Sequence, residues 1–274
     1  FSVMDGKMVV TGKYKRNWKN KKSRIAKRLS AAVYLLLFSC LLESGCSIRQ
    51  GKLSEETKQI AIKDAMDRKK EEQKTGVTIC AGNRTGSGVI WKIEEDKVTI
   101  LTAGHVLGEA ADDVQERTVK ADITVVFPNG DKATARVEKK FEDRDLAILT
   151  VDKALLGAEL EETCAVQNGG YADKQQSDSL TTGDMLTIIA SVSEPGGEKE
   201  NCILLNNWIY IEDFDQYMML AALQEETDKG ALPGMSGAGV FDEEGYFAGI
   251  LCGVDDTGTL AVLPYSLIEC ADEL

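Results

Sequence analysis

Apolar positions in the body of the chain fall into short runs of four or five residues, rich in Val, Ile and Thr and broken by Gly, Asn and Asp, a texture that predicts strands. Val77-Thr78-Ile79-Cys80, Gly88-Val89-Ile90-Trp91, Val98-Thr99-Ile100-Leu101, Ile123-Thr124-Val125-Val126-Phe127 and Ala147-Ile148-Leu149-Thr150-Val151 make a first set. Pro128-Asn129-Gly130-Asp131 predicts a hairpin turn, because Pro presets φ while Asn, Gly and Asp tolerate left-handed backbone. A polar interval from about 157 to 180 reads as a crossover, followed by a second set at 185–190, 202–211, 217–223, 239–241, 247–252 and 260–263. Many short strands, few helical periods and a closing helix at 266–273 predict an all-β body of paired antiparallel barrels, barrel one at about 76–156 and barrel two at 181–265. No repeat of solenoid period is visible.

Upstream of position 76 the pattern changes. Leu29 to Leu42 is apolar without a charge and follows a dense run of Lys and Arg from Lys13 to Arg28. Fourteen residues at about 1.5 Å each span roughly 21 Å, less than the roughly 30 Å of a hydrocarbon core. Positions 29–45 therefore suit a signal peptide, or a signal-anchor helix stretched by its flanks. By the positive-inside rule the basic segment 1–28 is expected to stay cytoplasmic and the body to be exported, tethered to the membrane or secreted if the segment is cleaved. Ser44-Gly45-Cys46 resembles the end of a bacterial lipoprotein box, with Glu43 standing where that pattern wants an aliphatic residue. Between 46 and 75, a Ser54 cap with Glu55 and Glu56, then alternating charges around Ile60, Ile62, Ala65 and Met66, predict a charged helical stalk.

Charge sharpens this division. The net charge of −13 combines residues 1–30, with ten Lys or Arg and one acid, and a remainder with 22 basic and 44 acidic residues. An acidic body offers no basic face to phosphates, so nucleic acid is excluded as a partner. The seven cysteines, at 40, 46, 80, 164, 202, 252 and 270, contain no Cys-x-x-Cys pair, and the chain has one histidine. No metal site and no cofactor is expected. The five cysteines of the body are expected mostly as free, buried thiols, with room for one disulfide.

Candidate chemistry gathers on the single histidine. His105 lies in Leu101-Thr102-Ala103-Gly104-His105-Val106, at the end of a predicted strand. Imidazole is the side chain suited to shuttling a proton near neutrality. Glu142-Asp143-Arg144-Asp145-Leu146-Ala147 is an acidic turn entering a strand, and Leu232-Pro233-Gly234-Met235-Ser236-Gly237-Ala238-Gly239 sets a serine among small residues before another. Serine attacks only once a base takes its proton, and the base needs a carboxylate to hold its tautomer. His105, Asp145 and Ser236 are the candidates for base, orienting acid and nucleophile; Asp143 is a rival acid, but Asp145 directly precedes the strand. The order discriminates between folds. An α/β-hydrolase needs a histidine after its serine, and none follows Ser236; a subtilisin needs its aspartate before the histidine and parallel strands separated by helices, a pattern absent here.

In this order, Gly86-Ser87-Gly88-Val89-Ile90, the Thr-Ala-Gly-His stretch ending at His105, Asp145-Leu146-Ala147-Ile148-Leu149 and Gly234-Met235-Ser236-Gly237 resemble the motifs of trypsin-like (chymotrypsin-fold) serine peptidases, particularly the HtrA or Deg branch. Gly183-Asp184-Met185-Leu186 is similar to the strand that opens that family's second barrel, and the likeness covers roughly 76–274. The resemblance implies two antiparallel six-stranded β-barrels with a short C-terminal helix, and a serine endopeptidase acting on polypeptide substrates through an acyl-enzyme. It implies an oxyanion hole made by the backbone N–H groups of Gly234 and Ser236. It places the substrate side chain near the uncharged Gly230, which implies a preference for small or aliphatic residues, and the substrate backbone along Leu251-Cys252-Gly253. Cys252 is expected to be a packed thiol, since no second histidine could activate it. Met235 and Ala238-Gly239 depart from the family's usual residues around the serine, so activation by a freed amino terminus is not expected. The 38 residues after Ser236 fit a protease domain without a PDZ domain. The alternative reading is a catalytically silent peptide-binding or scaffold module on the same fold.

Overall fold

Antiparallel strands account for nearly all regular structure in the computed structural model, which describes residues 2–4, 7–9, 63, 64, 66, 72–108, 123–157, 160–191, 198–224, 233–255 and 258–269. Two short strands, β1 (Ser2–Met4) and β2 (Lys7–Val9), pair with each other. The expected signal or anchor segment at 29–45 lies outside the described residues. Of the expected stalk, positions 63, 64 and 66 are helical and Glu72–Thr75 forms a 3-10 turn.

The first barrel consists of β3 (Gly76–Ala81), β4 (Arg84–Ile93), β5 (Lys97–Thr102), β6 (Ile123–Val126), β7 (Lys132–Lys140) and β8 (Ala147–Asp152), closed in the order β3-β4-β5-β8-β7-β6. Alternation drives the closure: Val77, Ile79 and Ala81 of β3 point inward, while Thr78 and Cys80 are only half-buried. The Pro128–Asp131 stretch does make the β6–β7 turn, with the Gly130 N–H donating to the Phe127 carbonyl at 2.9 Å. Strand β7 is absent from the sequence-based expectation. Its inward positions are Ala133 and Ala135 between exposed Lys132, Thr134 and Arg136, so the period of two is present but is carried by alanine, a residue depleted in strands.

The second barrel consists of β9 (Met185–Ala190), β10 (Glu198–Ile211), β11 (Gln216–Leu223), β12 (Gly239–Asp242), β13 (Phe247–Val254) and β14 (Thr259–Pro264), closed in the order β10-β11-β14-β13-β12-β9. The link between the barrels carries the short helix α1 (Lys174–Asp178), and α2 (Tyr265–Glu269) follows β14. The closing helix was expected at 266–273; it starts one residue earlier, and positions 270–273 lie outside the described residues.

Three apolar clusters hold this arrangement. One fills barrel one around Ile79, Ile100, Val125 and Leu149, and another fills barrel two around Ile188, Leu204, Val240 and Val262. The third lies between them, joining Trp91, Leu101 and Leu146 of the first half to Phe241, Phe247 and Leu263 of the second, with Tyr265 of α2. Trp91 packs against Phe247 and Tyr265 with centroids 5.6 and 5.9 Å apart. Each such fully buried large side chain contributes about 1.5–3 kcal/mol. The interbarrel cluster therefore fixes the one geometry that matters for a site drawing on both halves. Cys80, Cys202 and Cys252 are free thiols, and burial pushes Cys202 up to about 12.

Candidate active site

Strand β5 ends at Thr102, and the chain then makes a single 3-10 turn, Gly104–Val106. The N–H groups of Val106 and Leu107 close it on the carbonyls of Ala103 and Gly104, at 3.1 and 3.3 Å. Val106 and Leu107 are buried, which leaves the His105 ring outward, 45% exposed.

Asp145 arrives from the neighbouring strand. β5 pairs antiparallel with β8 so that Thr102 stands opposite Ala147, and this register brings the residues just beyond Thr102 to those just before Ala147. Asp145 Oδ2 accepts from His105 Nδ1 at 2.7 Å, and Oδ1 accepts from the His105 backbone N–H at 2.8 Å. Gly104 permits this closeness, because a Cβ there would lie 3.3 Å from Asp145 Oδ1. An ionised carboxylate only accepts, so the contact sets the proton on Nδ1 and leaves Nε2 as the basic nitrogen. Arg84 Nη1 donates to the His105 carbonyl at 2.9 Å and holds the turn from its other side.

The rival acid is committed elsewhere. Asp143 takes both Nε and Nη2 of Arg144, at 3.1 and 2.7 Å, and the guanidinium holds its carboxyl below the usual range. Arg144 in turn donates from Nη1 to the Leu267 carbonyl of α2 at 2.7 Å.

Ser236 lies on the loop before β12, and that loop takes its shape from contacts with both barrels. The Ser236 carbonyl accepts from the Ser87 N–H of β4 at 2.8 Å, and the Gly237 N–H donates to the Leu251 carbonyl of β13 at 2.7 Å. Gly237 has φ +89° and a Cβ there would sit 2.0 Å from the Ser87 carbonyl oxygen, so only glycine fits. Ser87 is fully buried, and its hydroxyl donates to the Gly234 carbonyl at 2.8 Å while accepting from the Ser191 N–H at 3.1 Å. Its own carbonyl accepts from Thr102 Oγ1 at 2.7 Å, immediately before the histidine turn. One buried serine thus connects both halves of the site. Sequence reasoning treated it as part of a strand motif; the available signal was a hydroxyl between two glycines at the start of an otherwise apolar strand.

Among the described residues, the N–H groups of Gly234 and Ser236 donate to nothing, and no hydrogen bond joins the Ser236 hydroxyl to the His105 ring. The structure therefore brings His105 and Asp145 into direct contact and brings the serine loop against the strand that precedes them. No cluster of His, Cys, Asp or Glu among the described residues could hold a metal ion.

The expected substrate-binding residues divide. Gly230 lies outside the described residues. Leu251 is buried, with its N–H and C=O both taken by the serine loop, through Ala238 and Gly237. Cys252 is buried too, its Sγ 3.6 Å from the Asp145 carbonyl oxygen, and burial followed by the negative Asp145 pushes the thiol well above its ordinary range. Neither can present a side chain to a ligand. Gly253 differs: it is half-buried, lies beyond a bulge, and extends past Ile250, where the pairing of β12 with β13 ends.

Residues 86–250, which include His105, Asp145 and Ser236, match the family model described as the trypsin-like peptidase domain. A comparison with curated proteins gives no match. Among solved structures, the crystal structure of Deg5 is similar, with a TM-score of 0.56 and 18% identity over 80% of this chain and 94% of that chain. At that identity the likeness is one of fold.

Proposed function

Since this chain belongs to the trypsin-like peptidase family, we propose that it is a serine endopeptidase that cleaves polypeptides through His105, Asp145 and Ser236. The observation that supports this most is the two-point contact of Asp145 with His105, one bond to the ring and one to the backbone of the same residue. A structural ion pair has no need of both, whereas a base that must keep one tautomer and one orientation does.

In the proposed reaction Nε2 of His105 takes the Ser236 proton as the oxygen attacks a peptide carbonyl. The tetrahedral oxyanion accepts from the unengaged N–H groups of Gly234 and Ser236, a contact of which each donor stabilises the transition state by on the order of 3 kcal/mol. Collapse expels the amine, which takes the proton from His105, and water repeats the steps on the acyl-enzyme. Asp145 stabilises the imidazolium throughout. The β12 side of β13 at Gly253, which pairs with no other strand among the described residues, suits pairing with an extended substrate backbone, a form of β-addition. By the same family reading, the uncharged Gly230 favours small or aliphatic side chains before the scissile bond.

A fluorophosphonate probe tests the proposal: it should label Ser236 in the wild-type chain and fail on His105→Ala. A folded protein that is neither labelled nor able to cleave casein between about pH 6 and 9 would establish the silent binding module instead. We further propose that the protein is exported, with the basic segment 1–28 cytoplasmic and the apolar segment 29–45 acting as signal or anchor. Amino-terminal sequencing of the mature protein distinguishes cleavage from retention, and its recovery from the cytoplasm with an intact amino terminus would overturn export.

A further inference from the structure

Strands β10 and β11 end in a hairpin whose outward face is aromatic. Trp208, Tyr210 and Tyr217 are 47%, 46% and 47% exposed, and the first two both pack on Tyr217. Tyr210 and Tyr217 stand opposite in register, edge to face with centroids 5.5 Å apart, and Trp208 stacks on Tyr217 at 5.2 Å and 10°. Among the described residues, Trp91, Phe127, Tyr171, Phe241 and Phe247 are fully buried and only Trp208, Tyr210 and Tyr217 are exposed rings, so this patch is a local exception. Contiguous exposed aromatic surface is characteristic of binding faces.

Trp208 also forms one wall of a cavity of about 140 Å³. Met219 and Pro264 supply further apolar wall, and Ser177, Asn207 and Asp178 supply polar groups. Asp178 is exposed and ends α1, whose last turn holds no basic side chain. The charge on the hairpin itself has one sign. From Asn206 to Leu223 the chain carries Glu212, Asp213 and Asp215 and no Lys or Arg, and the Tyr210 hydroxyl donates to Asp215.

These features select one chemistry. Ring faces are negative and attract cations, the more so with carboxylates beside them. A lysine or arginine has an apolar stem that suits the Trp208, Met219 and Pro264 walls and a cationic head that suits Asp178. Anionic lipid headgroups and nucleic-acid phosphates would meet like charge at the same turn. We infer that this face is a docking site for a basic polypeptide segment, one Lys or Arg entering the cavity beside Asp178 while its neighbours lie over Trp208 and Tyr217. The site is distinct from the candidate active site in its residues: none of His105, Asp145 and Ser236 lines the cavity. Docking there does not require catalysis.

The test titrates fluorescein-labelled hepta-arginine into the full chain carrying Ser236→Ala and follows anisotropy at physiological ionic strength. Saturable binding is expected, weakened about fivefold or more by Trp208→Ala and by Asp178→Asn, both exposed positions whose replacement leaves the fold intact. The double variant Glu95→Gln, Asp96→Asn, at the exposed β4–β5 turn of the other barrel, should bind as tightly as the unmodified site, and hepta-glutamate should not bind. The inference is overturned if hepta-arginine does not bind, or if the Glu95, Asp96 variant loses as much affinity as Trp208→Ala, since attraction would then belong to the acidic body at large. Binding of chitohexaose through Trp208 in place of hepta-arginine would also overturn it.

Discussion

Barrel one carries its candidate residues on adjacent antiparallel strands, so His105 and Asp145 meet through a register, Thr102 opposite Ala147. Barrel two carries Ser236 on a loop of small residues whose carbonyls are held by Ser87 of barrel one and whose Gly237 N–H is held by Leu251 of its own barrel. The first half of the site is thus a consequence of sheet pairing, and the second half depends on the barrels staying docked. Their packing differs in parallel. Barrel one exposes part of Cys80 and sets its β6–β7 turn acid, Asp131, at the surface, whereas barrel two buries Cys202, Cys252 and its own turn acid Asp242.

The sharpest break in this comparison is Gly237→Ala. Left-handed backbone together with a Cβ 2.0 Å from the Ser87 carbonyl oxygen should cost on the order of 2–4 kcal/mol, lower the melting temperature and abolish fluorophosphonate labelling. Full labelling at an unchanged melting temperature would mean that the serine loop does not rest on barrel one. Ser87→Ala is next. It strips the Gly234 carbonyl and the Ser191 N–H of a buried partner, at about 1–3 kcal/mol, and should lower kcat far more than it changes KM because the loop, not the substrate strand, shifts. Equal changes in both constants would reduce Ser87 to a packing residue.

Smaller effects come from a buried acid of barrel two. Asp242 Oδ1 accepts from the Glu244 and Tyr246 N–H groups at 3.0 and 2.8 Å, while burial raises its carboxyl above the usual range. Folding therefore favours the protonated form: its contribution is full below the ordinary carboxylate range, near 4, and is lost as pH rises through the raised value. Asp242→Asn keeps the Oδ1 contacts without the charge, so it should raise the melting temperature at pH 8 relative to wild type and lose that gain toward pH 4. A gain independent of pH would refute the buried charge. The mildest test is alkylation of the native protein by iodoacetamide at pH 8. Of the described cysteines, half-buried Cys80 should react before the others, and Cys202, with its thiol at about 12, and Cys252 only on unfolding. Comparable rates at Cys80 and Cys252 would show that the floor beneath Asp145 is open.

By itself the sequence determined the strands whose alternation is written in Val, Ile and Thr, the turn at Pro128–Asp131, and the candidate residues of the site. The single histidine made that choice almost without rivals, and the order His105, Asp145, Ser236 restricted the fold. Both depend on identity and spacing along the chain, which a sequence states directly. Tertiary structure decided the rest. Alanine carries too weak a signal to reveal β7, and closing barrel one around it determines that Ala133 and Ala135 face inward. The choice between Asp143 and Asp145 is made by Arg144, which takes the former. Ser87 and Gly234 lie 147 positions apart, so no local pattern marks their bond; it exists because Trp91, Phe247 and Tyr265 fix one barrel against the other. Packing also placed the Leu251 and Cys252 side chains in the core and left Trp208, Tyr210 and Tyr217 exposed on the same barrel that buries Phe241 and Phe247. Local pattern shows that a residue is apolar or reactive, and only the packing of distant strands decides what it faces.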